Sequence, residues 1–315
     1  MYPLGSFWIK IVIMSALTPS NPAQLDSVAS TQAAAAIQPA EILIIGTASL
    51  DVLHLNLLNL PQVIRTIGGA GLYTALAAAR AGARTTLFAP RPVHLPPELT
   101  QVEQYITWLG PVCETEALPK LEIVHHGGGK AELLGASWGA ELRMTPADLP
   151  AALSRYRIIH IAALSSAQRQ LDFLRACRER GAQHISAGTY ARLAYGETAN
   201  VRQLIAEADL FFMNDNEARG VYGALEDQAI EVPAGKTLFV TQGEHGALIF
   251  QVGGRTVIQA VPAIELDPTG AGDTFCGTTL AGLSRNWEAT AAASEAVRWA
   301  ARVIEQAGPA ALFLA

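Results

Sequence analysis

Two acidic residues flank a glycine-rich turn in the stretch DPTGAGDTFCG, which runs from Asp267 to Gly277. The residues after Asp273 predict a helix, so this acid would lie where the helix begins. Backbone N–H groups at a glycine-lined helix N-terminus bind phosphate oxygens, and a carboxylate beside them can accept a proton from a hydroxyl. Asp is also a common N-cap residue, which is the structural alternative. The spacing alone therefore indicates either a phosphoryl-transfer site or an ordinary helix start.

Three more polar residues stand at comparable points of the chain. Asp51, Asn214 and Thr241 each follow a predicted strand or the turn after it. In α/β sheets, ligands bind at the carboxyl ends of the parallel strands. These side chains and Asp273 are therefore predicted to lie along one edge of a sheet.

The segments that must position these residues alternate between strand and helix patterns. Apolar runs such as EILII, from residue 41, and KTLFV, from residue 236, predict buried strands. The run GGAGLYTALAAARAG predicts a helix. This alternation predicts a mostly parallel central sheet covered by helices on both faces. Residues 120–136 and 245–261 differ, because each pairs two extended runs around glycines and predicts a β-hairpin.

Composition excludes several classes of partner. The formal net charge of −6 and the pI near 5.7 argue against a surface for nucleic acid or for an anionic membrane. Half of the residues are hydrophobic and 16% are charged, which is enough for one large folded domain. Cys113, Cys177 and Cys276 lack the spacing of a metal site or a disulfide framework. We expect small buried thiols and a reducing, cytoplasmic location.

The first forty residues have a different character. Their apolar stretch is interrupted by Lys10, is too short to span a bilayer and has no clear basic region of the signal-peptide kind. A low-complexity run, STQAAAAIQPA, follows it. We expect residues 1–40 to be a poorly ordered leader, with Met14 as a candidate start of translation and the folded body beginning near Glu41.

Several motifs, in this order, resemble those of the ribokinase-like (PfkB) carbohydrate kinase family. GTASLD matches the strand after which that family has a substrate-binding Asp, and IGGAGLYTALAAARAG resembles its first signature. NDNE matches its N-x-x-E motif and TQGEHG its T-x-G-x-x-G turn. DPTGAGDTFCG is similar to its second signature, D-T-x-G-A-G-D-x-F. The resemblance covers roughly residues 41–310.

This resemblance implies an α/β, ribokinase-like three-layer αβα fold with a mostly parallel central sheet and a small, reduced β-lid. The kinase domain would span residues 41–315, with lid elements at about 52–67 and 120–136. The resemblance also assigns roles at the second signature. Asp273 would be the general base, and the backbone N–H groups of Ala271, Gly272 and Asp273, in the catalytic turn that begins at Gly270, would hold the migrating phosphoryl group.

The nucleotide side follows from the two short motifs. Asn214 and Glu217 would organise Mg²⁺, through water, beside the phosphates of ATP. The same spacing is also that of an ordinary helix start, an Asn cap with an acid three residues later. Thr241, Gly243 and Gly246 would border the nucleotide, and a glycine-bearing hairpin turn is the alternative there.

The acceptor side follows from the start of the chain. Asp51, Gly68 and Gly69 would face the phosphate acceptor, because one carboxylate can accept hydrogen bonds from two vicinal hydroxyls. A loop-capping Asp is the alternative at position 51. Asp267 and Thr269 lie where several members of the family bind a monovalent cation, so K⁺ is a further candidate cofactor.

The chain departs from the family pattern at Tyr73, where the first signature usually carries a sugar-binding Asn. A tyrosine is larger and offers one hydroxyl, so the acceptor pocket should differ and the substrate's identity does not carry over. Only residues 52–67 separate Asp51 from Gly68, which predicts a small lid arm and leaves a monomer or a homodimer open. His125 and His126 would point to opposite faces of a strand. We expect a lid or surface position for them and no metal site.

The sequence is therefore interpreted as an ATP- and Mg²⁺-dependent kinase that phosphorylates a hydroxyl of a small sugar or related polyol. A nucleoside or inositol-type kinase of the same family is the alternative, and a non-catalytic ligand-binding member of the fold is a rival from another class. A nicotinamide-dependent oxidoreductase is disfavoured, because GTASLD stands where a G-x-G-x-x-G motif would follow the first strand. No nucleic-acid or membrane partner is expected.

Overall fold

The computed structural model describes residues 41–57, 60–127, 130–223, 230 and 232–313. The predicted leader, residues 1–40, lies outside the described residues, as do residues 58–59 and 128–129 of the predicted lid segments. The strands of the described chain are β1 Glu41–Ile45, β2 Ser49–Leu57, β3 Leu60–Gly68, β4 Arg84–Phe88, β5 Arg91–Pro92, β6 Thr107–Leu109, β7 Val112–Cys113, β8 Lys120–Gly127, β9 Lys130–Ser137, β10 Ile158–Ile161, β11 Ile185–Gly188, β12 Leu210–Asn214, β13 Thr237–Thr241, β14 Ala247–Gln251 and β15 Gly254–Ile258.

Helices occupy most of the connections between these strands. They are α1 Ala70–Arg80, α2 Pro97–Thr100, α3 Ala167–Glu179, α4 Ala191–Gly196, α5 Thr198–Glu207, α6 Asp215–Tyr222, α7 Ala271–Ser284, α8 Ala289–Val303 and α9 Ala310–Phe313. Short 3₁₀ turns lie at Gln101–Gln104, Thr115–Ala117, Gly139–Arg143, Pro146–Asp148 and Gly243–His245. In the described part of the chain, no helix is long and apolar enough to cross a membrane.

The central sheet has nine strands in the order β15-β14-β13-β12-β11-β10-β1-β4-β6. All pairings from β13 to β6 are parallel, and β14 and β15 add an antiparallel pair at one edge. The antiparallel pair contains the predicted hairpin of residues 245–261. The prediction of an α/β fold with a mostly parallel central sheet is thus confirmed. In such a sheet the carboxyl ends of the parallel strands share one edge, where ligands bind.

The two faces of this sheet carry separate hydrophobic cores. Alternate residues of β1 point to opposite faces, as in any strand. Ile42 and Ile44 belong to the core under α1, α7 and α8, and Leu43 and Ile45 belong to the core under α3 and α5. This arrangement is the three-layer αβα architecture that the resemblance implies. It also places the N-termini of α1 and α7 on the same side of the sheet.

A second, four-stranded sheet has the order β3-β2-β8-β9. Strands β2 and β3 pair antiparallel, and the pairing aligns Ser49 with Gly68 and Asp51 with Thr66. Strands β8 and β9, predicted as a hairpin, pair antiparallel as expected. The predicted lid elements at 52–67 and 120–136 therefore belong to one sheet, which stands apart from the central one. A two-stranded sheet, β5-β7, completes the described strands.

Candidate active site

The turn before α7 places Gly270 at the N-cap position of that helix. Gly270 has a φ of 75°, in the left-handed region, and a Cβ there would lie 2.3 Å from the ring of Tyr73. Both the backbone conformation and the packing therefore require glycine. Asp273 lies within the first turn of the helix and not at its cap. The N-cap alternative for Asp273 is accordingly wrong.

The first turn of α7 presents backbone N–H groups to an open space. Gly272 is exposed, and a Cβ at this position would meet no atom within 4 Å. First-turn N–H groups have no acceptor within their helix, and the helix dipole favours an anion beside them. The N–H of Ala271 differs, because it donates to the carbonyl of Pro268 at 3.3 Å. The N–H of Gly272, with Asp273 beside it, is therefore the best-placed anion donor of the predicted three.

Asp273 lies at the mouth of this turn, partly exposed at its surface yet largely surrounded by protein. Burial raises the pKa of its carboxyl group to about 7. A carboxyl group with a pKa near the working pH is suited to proton transfer, because both its protonation states are populated. The position and the pKa of Asp273 both fit a general base.

Asn214 ends β12 and caps α6, with Glu217 in the first turn of that helix. The Asn214 Oδ1 atom accepts from the Glu217 N–H at 2.8 Å, and Glu217 Oε2 accepts from the Asn214 N–H at 2.8 Å. This is a capping box, so the structural alternative for this motif is confirmed. Burial, with smaller contributions that include the negative charge of Asp273, raises the pKa of Glu217 to about 8. That coupling places Glu217 in the neighbourhood of the candidate base.

Magnesium fits this pair only through water. Both carboxylate oxygens of Glu217 accept hydrogen bonds from Asn214, since the Asn214 Nδ2 group also donates to Oε1 at 2.8 Å. A direct metal bond would break one of these contacts. Mg²⁺ commonly keeps several waters and needs few direct protein ligands. Among the residues that the structure describes, no group of three or more His, Cys, Asp or Glu side chains is arranged to hold a metal ion.

The predicted nucleotide turn lies between β13, which ends at Thr241, and β14. Gly246 has a φ of 88°, and a Cβ there would lie 2.0 Å from the carbonyl oxygen of Ile258. Its glycine is therefore explained by the hairpin alone, as the alternative predicted. Gly243 differs, because a Cβ at this position would meet no atom within 4 Å. Of the two glycines, Gly243 is the one that leaves room for a ligand.

Asp51 occupies the second sheet, on β2, with its side chain 2% exposed. Neither carboxylate oxygen has a partner with good hydrogen-bond geometry among the described residues. Burial raises the pKa of Asp51 to about 6, and weak hydrogen bonds from the Ser49 side chain and the Leu121 backbone offset this rise only in part. Gly68 ends β3 directly against this carboxylate, and Gly69 is the N-cap of α1. A buried carboxylate whose acceptors are this poorly satisfied suits a ligand that brings hydroxyl groups.

Tyr73 of α1 is 1% exposed and packs beneath Gly270. Burial raises its pKa well above the usual value, and the negative charges of Asp267, Asp51 and Asp273 add to the rise. Three of the predicted acids thus lie around one phenol, whose hydroxyl has no partner among the described residues. The ring supports the turn that starts α7. Its unpartnered hydroxyl lies among these acids, so a substrate-binding role for Tyr73 stays a prediction.

Asp267 and Thr269, the predicted cation pair, contact His125 of β8. The His125 Nε2 atom lies 3.2 Å from Asp267 Oδ1 and 2.9 Å from Thr269 Oγ1. Both histidines lie on β8, within the predicted lid element, but only His126 is exposed, 3.3 Å from Glu132. Sequence reasoning missed the role of His125, because no local pattern joins it to a loop so distant in the chain. The available signal was that adjacent residues on a strand point to opposite faces, so that one of the two histidines could be expected to be buried.

The three raised carboxyl pKa values predict how stability depends on pH. The folded state holds protons on Asp51, Asp273 and Glu217 at pH values where the unfolded chain has lost them. Their contribution to stability is therefore complete below the unfolded pKa near 4 and is lost as the pH rises through about 6 to 8. We expect Asp273→Asn to raise the free energy of unfolding by about 1–3 kcal/mol at a pH of about 8, with little effect near pH 4.

Denaturant unfolding at several pH values measures this effect. Asp172→Asn, which removes an exposed carboxylate from α3, is the matched control and should change little at any pH. An Asp273→Asn protein that is no more stable than the wild type at high pH would contradict the burial of this carboxylate.

Comparison with known proteins identifies relatives along most of the chain. Residues 114–314 match the model of the family described as pfkB family carbohydrate kinase. The sequence is 25% identical over 255 residues to a cytidine kinase from Thermococcus kodakarensis, a match that covers 78% of this chain and 89% of that relative.

Solved structures with the same fold include two kinases. A probable sugar kinase from Rhizobium etli has a TM-score of 0.72 at 18% identity, over 86% of this chain and 94% of that one. A nucleoside kinase from Burkholderia thailandensis, solved with inosine, has a TM-score of 0.68 at 22% identity, over 85% of this chain and 92% of that one. These likenesses show the fold, and the family model spans well over half of the chain. The chain therefore belongs to the pfkB family of carbohydrate kinases.

Proposed function

We propose that this chain is an ATP- and Mg²⁺-dependent kinase that transfers the γ-phosphoryl group to a hydroxyl of a small sugar or related polyol. The observation that carries the proposal is the group of carboxylates around Tyr73. The charges of Asp51 and Asp273 both act on this phenol, so an acceptor-binding acid and a proton-accepting acid face the same region. The exposed Gly272 lies in the same first turn as Asp273.

The chain's own residues can perform each step of the transfer. Asp51 accepts hydrogen bonds from acceptor hydroxyls and so orients the one that reacts. Asp273 takes the proton of that hydroxyl while the hydroxyl oxygen forms a bond to the γ-phosphorus of ATP. The bond from that phosphorus to the bridging oxygen breaks and ADP leaves with its electron pair. Gly272 and its neighbours donate N–H groups to the phosphoryl oxygens as their charge redistributes.

Metal and nucleotide binding are proposed at Asn214 and Glu217, on which the charge of Asp273 acts, and at Thr241 and Gly243. Asn214 and Glu217 would hold Mg²⁺ through water, and the bound ion would neutralise charge on the ATP phosphates. A nearby cation favours the ionised form of Glu217, whose pKa of about 8 leaves it largely neutral without one. Thr241 and Gly243 would border the nucleotide.

We propose that the second sheet acts as a lid over the acceptor. Its strand β2 carries Asp51 and its strand β8 carries His125, which contacts the loop before α7. A closed lid excludes water from the phosphoryl group and so prevents hydrolysis of ATP. We propose further that the kinase works in the cytoplasm as a monomer or a homodimer.

A nucleoside is the second candidate acceptor. The relative that matches this chain over 89% of its own length is a cytidine kinase. In addition, Trp138, just after β9, and Tyr190, just after β11, form an aromatic pair with ring centroids 6.1 Å apart. Aromatic faces of this kind can stack on a nucleobase. An inositol-type polyol is a third possibility within the same chemistry, since Asp51 would bind vicinal hydroxyls on either a ring or a ribose.

A panel assay tests the proposal and separates these acceptors. ADP release would be measured with free sugars, inositols and nucleosides, each with and without Mg²⁺. We expect one class to give acceptor-dependent ADP release that requires Mg²⁺. No release across the panel, together with tight binding of one compound, would instead indicate a non-catalytic ligand-binding protein.

Gly272 offers a test that separates function from folding. A methyl group there has free space, so Gly272→Ala should keep the wild-type Tm. It would, however, stand beside the N–H group that receives the phosphoryl oxygens. We expect kcat/KM for ATP to fall by about tenfold or more.

Gly196→Ala is the matched control for this substitution. Gly196 is exposed at the end of α4, and a Cβ there also meets no atom within 4 Å. The control should leave both Tm and kcat/KM unchanged. Equal activity in the two variants would mean that the start of α7 binds no phosphoryl group.

A further inference from the structure

His125 links the second sheet to the loop that leads into α7. Its Nε2 atom lies 3.2 Å from Asp267 Oδ1 and 2.9 Å from Thr269 Oγ1. Asp267 is fully buried and His125 is 7% exposed. The contact between His125 and Asp267 is therefore shielded from water. Thr269, which is half-buried, directly precedes Gly270, the N-cap of α7.

The carboxylate of Asp267 determines which atom of His125 carries a proton. Both oxygens of Asp267 accept backbone N–H groups, at 3.0 Å from Thr269 and at 2.7 Å from Gly308. A carboxylate oxygen accepts hydrogen bonds, and His125 Nδ1 has no partner among the described residues, so we assign the proton of His125 to Nε2. The polarised Nε2–H group then points into the space between Asp267 Oδ1 and Thr269 Oγ1.

These two oxygens are the ones expected to hold a monovalent cation, and their contacts do not fit one. Asp267 Oδ1 accepts the Thr269 N–H at 3.0 Å in addition to its contact with His125. Asp267 Oδ2 accepts the Gly308 N–H at 2.7 Å. A cation on Oδ1 would have to displace Nε2–H, a group that already brings positive charge density to the same place.

The second sheet also touches the other loop that Asp267 holds. Gly308 lies against Thr66 of β3, so closely that a Cβ on Gly308 would be 2.2 Å from Thr66 Oγ1. Both loops joined by the Asp267 carboxylate thus meet the second sheet, one through His125 and one through Thr66.

We infer that the Nε2–H group of His125 replaces a monovalent cation at Asp267 and Thr269, so that this chain needs no potassium. His125 is a positioning residue: it fixes the loop that sets the first turn of α7, and it reaches neither phosphate nor acceptor. The activity part of this inference rests on the proposed function, whereas the effect on folding stability does not.

Thermal unfolding in matched salts tests the inference without any assay of activity. The wild type should have the same Tm in potassium chloride as in choline chloride. His125→Ala should lower Tm by about 3 °C or more in choline chloride, because a buried carboxylate loses a donor, and potassium should restore part of the loss. His126→Ala is the matched control, since His126 is exposed on the same strand, and it should behave as the wild type.

Kinetics give the second readout. The wild-type kcat/KM should differ by less than about twofold between the two salts, whereas His125→Ala should lose about 10- to 100-fold in choline chloride and regain activity with potassium. His125→Gln retains an N–H donor and should keep more activity than the alanine variant in choline chloride.

Several outcomes would overturn the inference. These are saturable activation or stabilisation of the wild type by potassium, and a His125→Ala protein that matches His126→Ala in both readouts. If His125→Ala does not fold, the comparison of the wild-type Tm and kcat/KM between potassium chloride and choline chloride tests the inference by itself. If no variant phosphorylates any acceptor, the proposed function fails, while the Tm comparison still decides on the cation.

Discussion

Asp273→Asn is expected to lower kcat by about 10²–10⁴-fold, the usual contribution of a positioned general base. The amide has nearly the same shape as the carboxylate and cannot take the proton of the attacking hydroxyl. Affinity for ATP should be unchanged or slightly tighter, because the substitution removes a negative charge near the phosphates. Steady-state kinetics with the acceptor found in the panel, and nucleotide titration of both proteins, measure the two effects separately.

The same carboxylate should shape the pH profile of the wild type. Because the pKa of Asp273 is raised to about 7, kcat/KM for the acceptor should rise as the pH increases through that region. Asp51 and Glu217 titrate nearby, with pKa values of about 6 and about 8, so the profile reports the group of acids together. Wild-type turnover in Asp273→Asn, or an unchanged rising limb in that variant, would remove Asp273 from the mechanism.

Local chemistry explains the features that could be predicted from the sequence. A strand pattern has a period of two residues and a turn is specified by a few neighbouring residues, so short windows predict the sheet and both hairpins. The start of α7 is of this kind as well. Its glycines and its acid are adjacent in the chain, so one short window contains the whole turn, although Tyr73 and His125 support it from distant segments.

The features that were missed depend on contacts between distant segments. Tyr73 fills the space beneath Gly270, and His125 meets Asp267, in each case across more than a hundred residues. Both residues are noticeable in the sequence, but nothing in their own segments, an Ala-rich helix for Tyr73 and a strand for His125, indicates what they contact. Side chains that support a site in this way are selected by volume and hydrogen-bond reach in the folded state. A single sequence does not display either property.

The Asn214 and Glu217 pair shows a different limit. The sequence left open whether these residues start a helix or organise a metal, and the structure contains the capping box. The two roles are compatible, because a buried Glu217 whose pKa is about 8 gains a reason to ionise when a cation binds nearby. A motif that serves as a cap in the free protein is thus already positioned for an ion held through water.

Asp51→Asn is expected to lower kcat/KM for the acceptor by about 10²–10⁴-fold, the equivalent of two hydrogen bonds to a charged group. The Asp51 carboxylate is buried and its two oxygens lack partners with good hydrogen-bond geometry among the described residues, an arrangement that costs folding energy unless a ligand supplies donors. Gly68 allows this placement, since a Cβ there would lie 1.9 Å from Asp51 Oδ2. The Asn amide keeps one oxygen that accepts a hydrogen bond. Its NH₂ group is a donor and would face a substrate hydroxyl that also donates.

Acceptor analogues turn this expectation into a cycle that isolates the contact. With the wild type, an analogue that lacks one of two vicinal hydroxyls should lose a large part of the same factor of about 10²–10⁴ in kcat/KM. With Asp51→Asn, the same analogue should lose little relative to the complete substrate. The variant should also unfold at a higher denaturant concentration than the wild type at a pH of about 8, because it no longer buries a group whose pKa is raised to about 6. If Asp51→Asn is more stable and no longer distinguishes the complete acceptor from the analogue, Asp51 is a binding residue. If its KM and this preference are unchanged, Asp51 is buried for a structural reason alone.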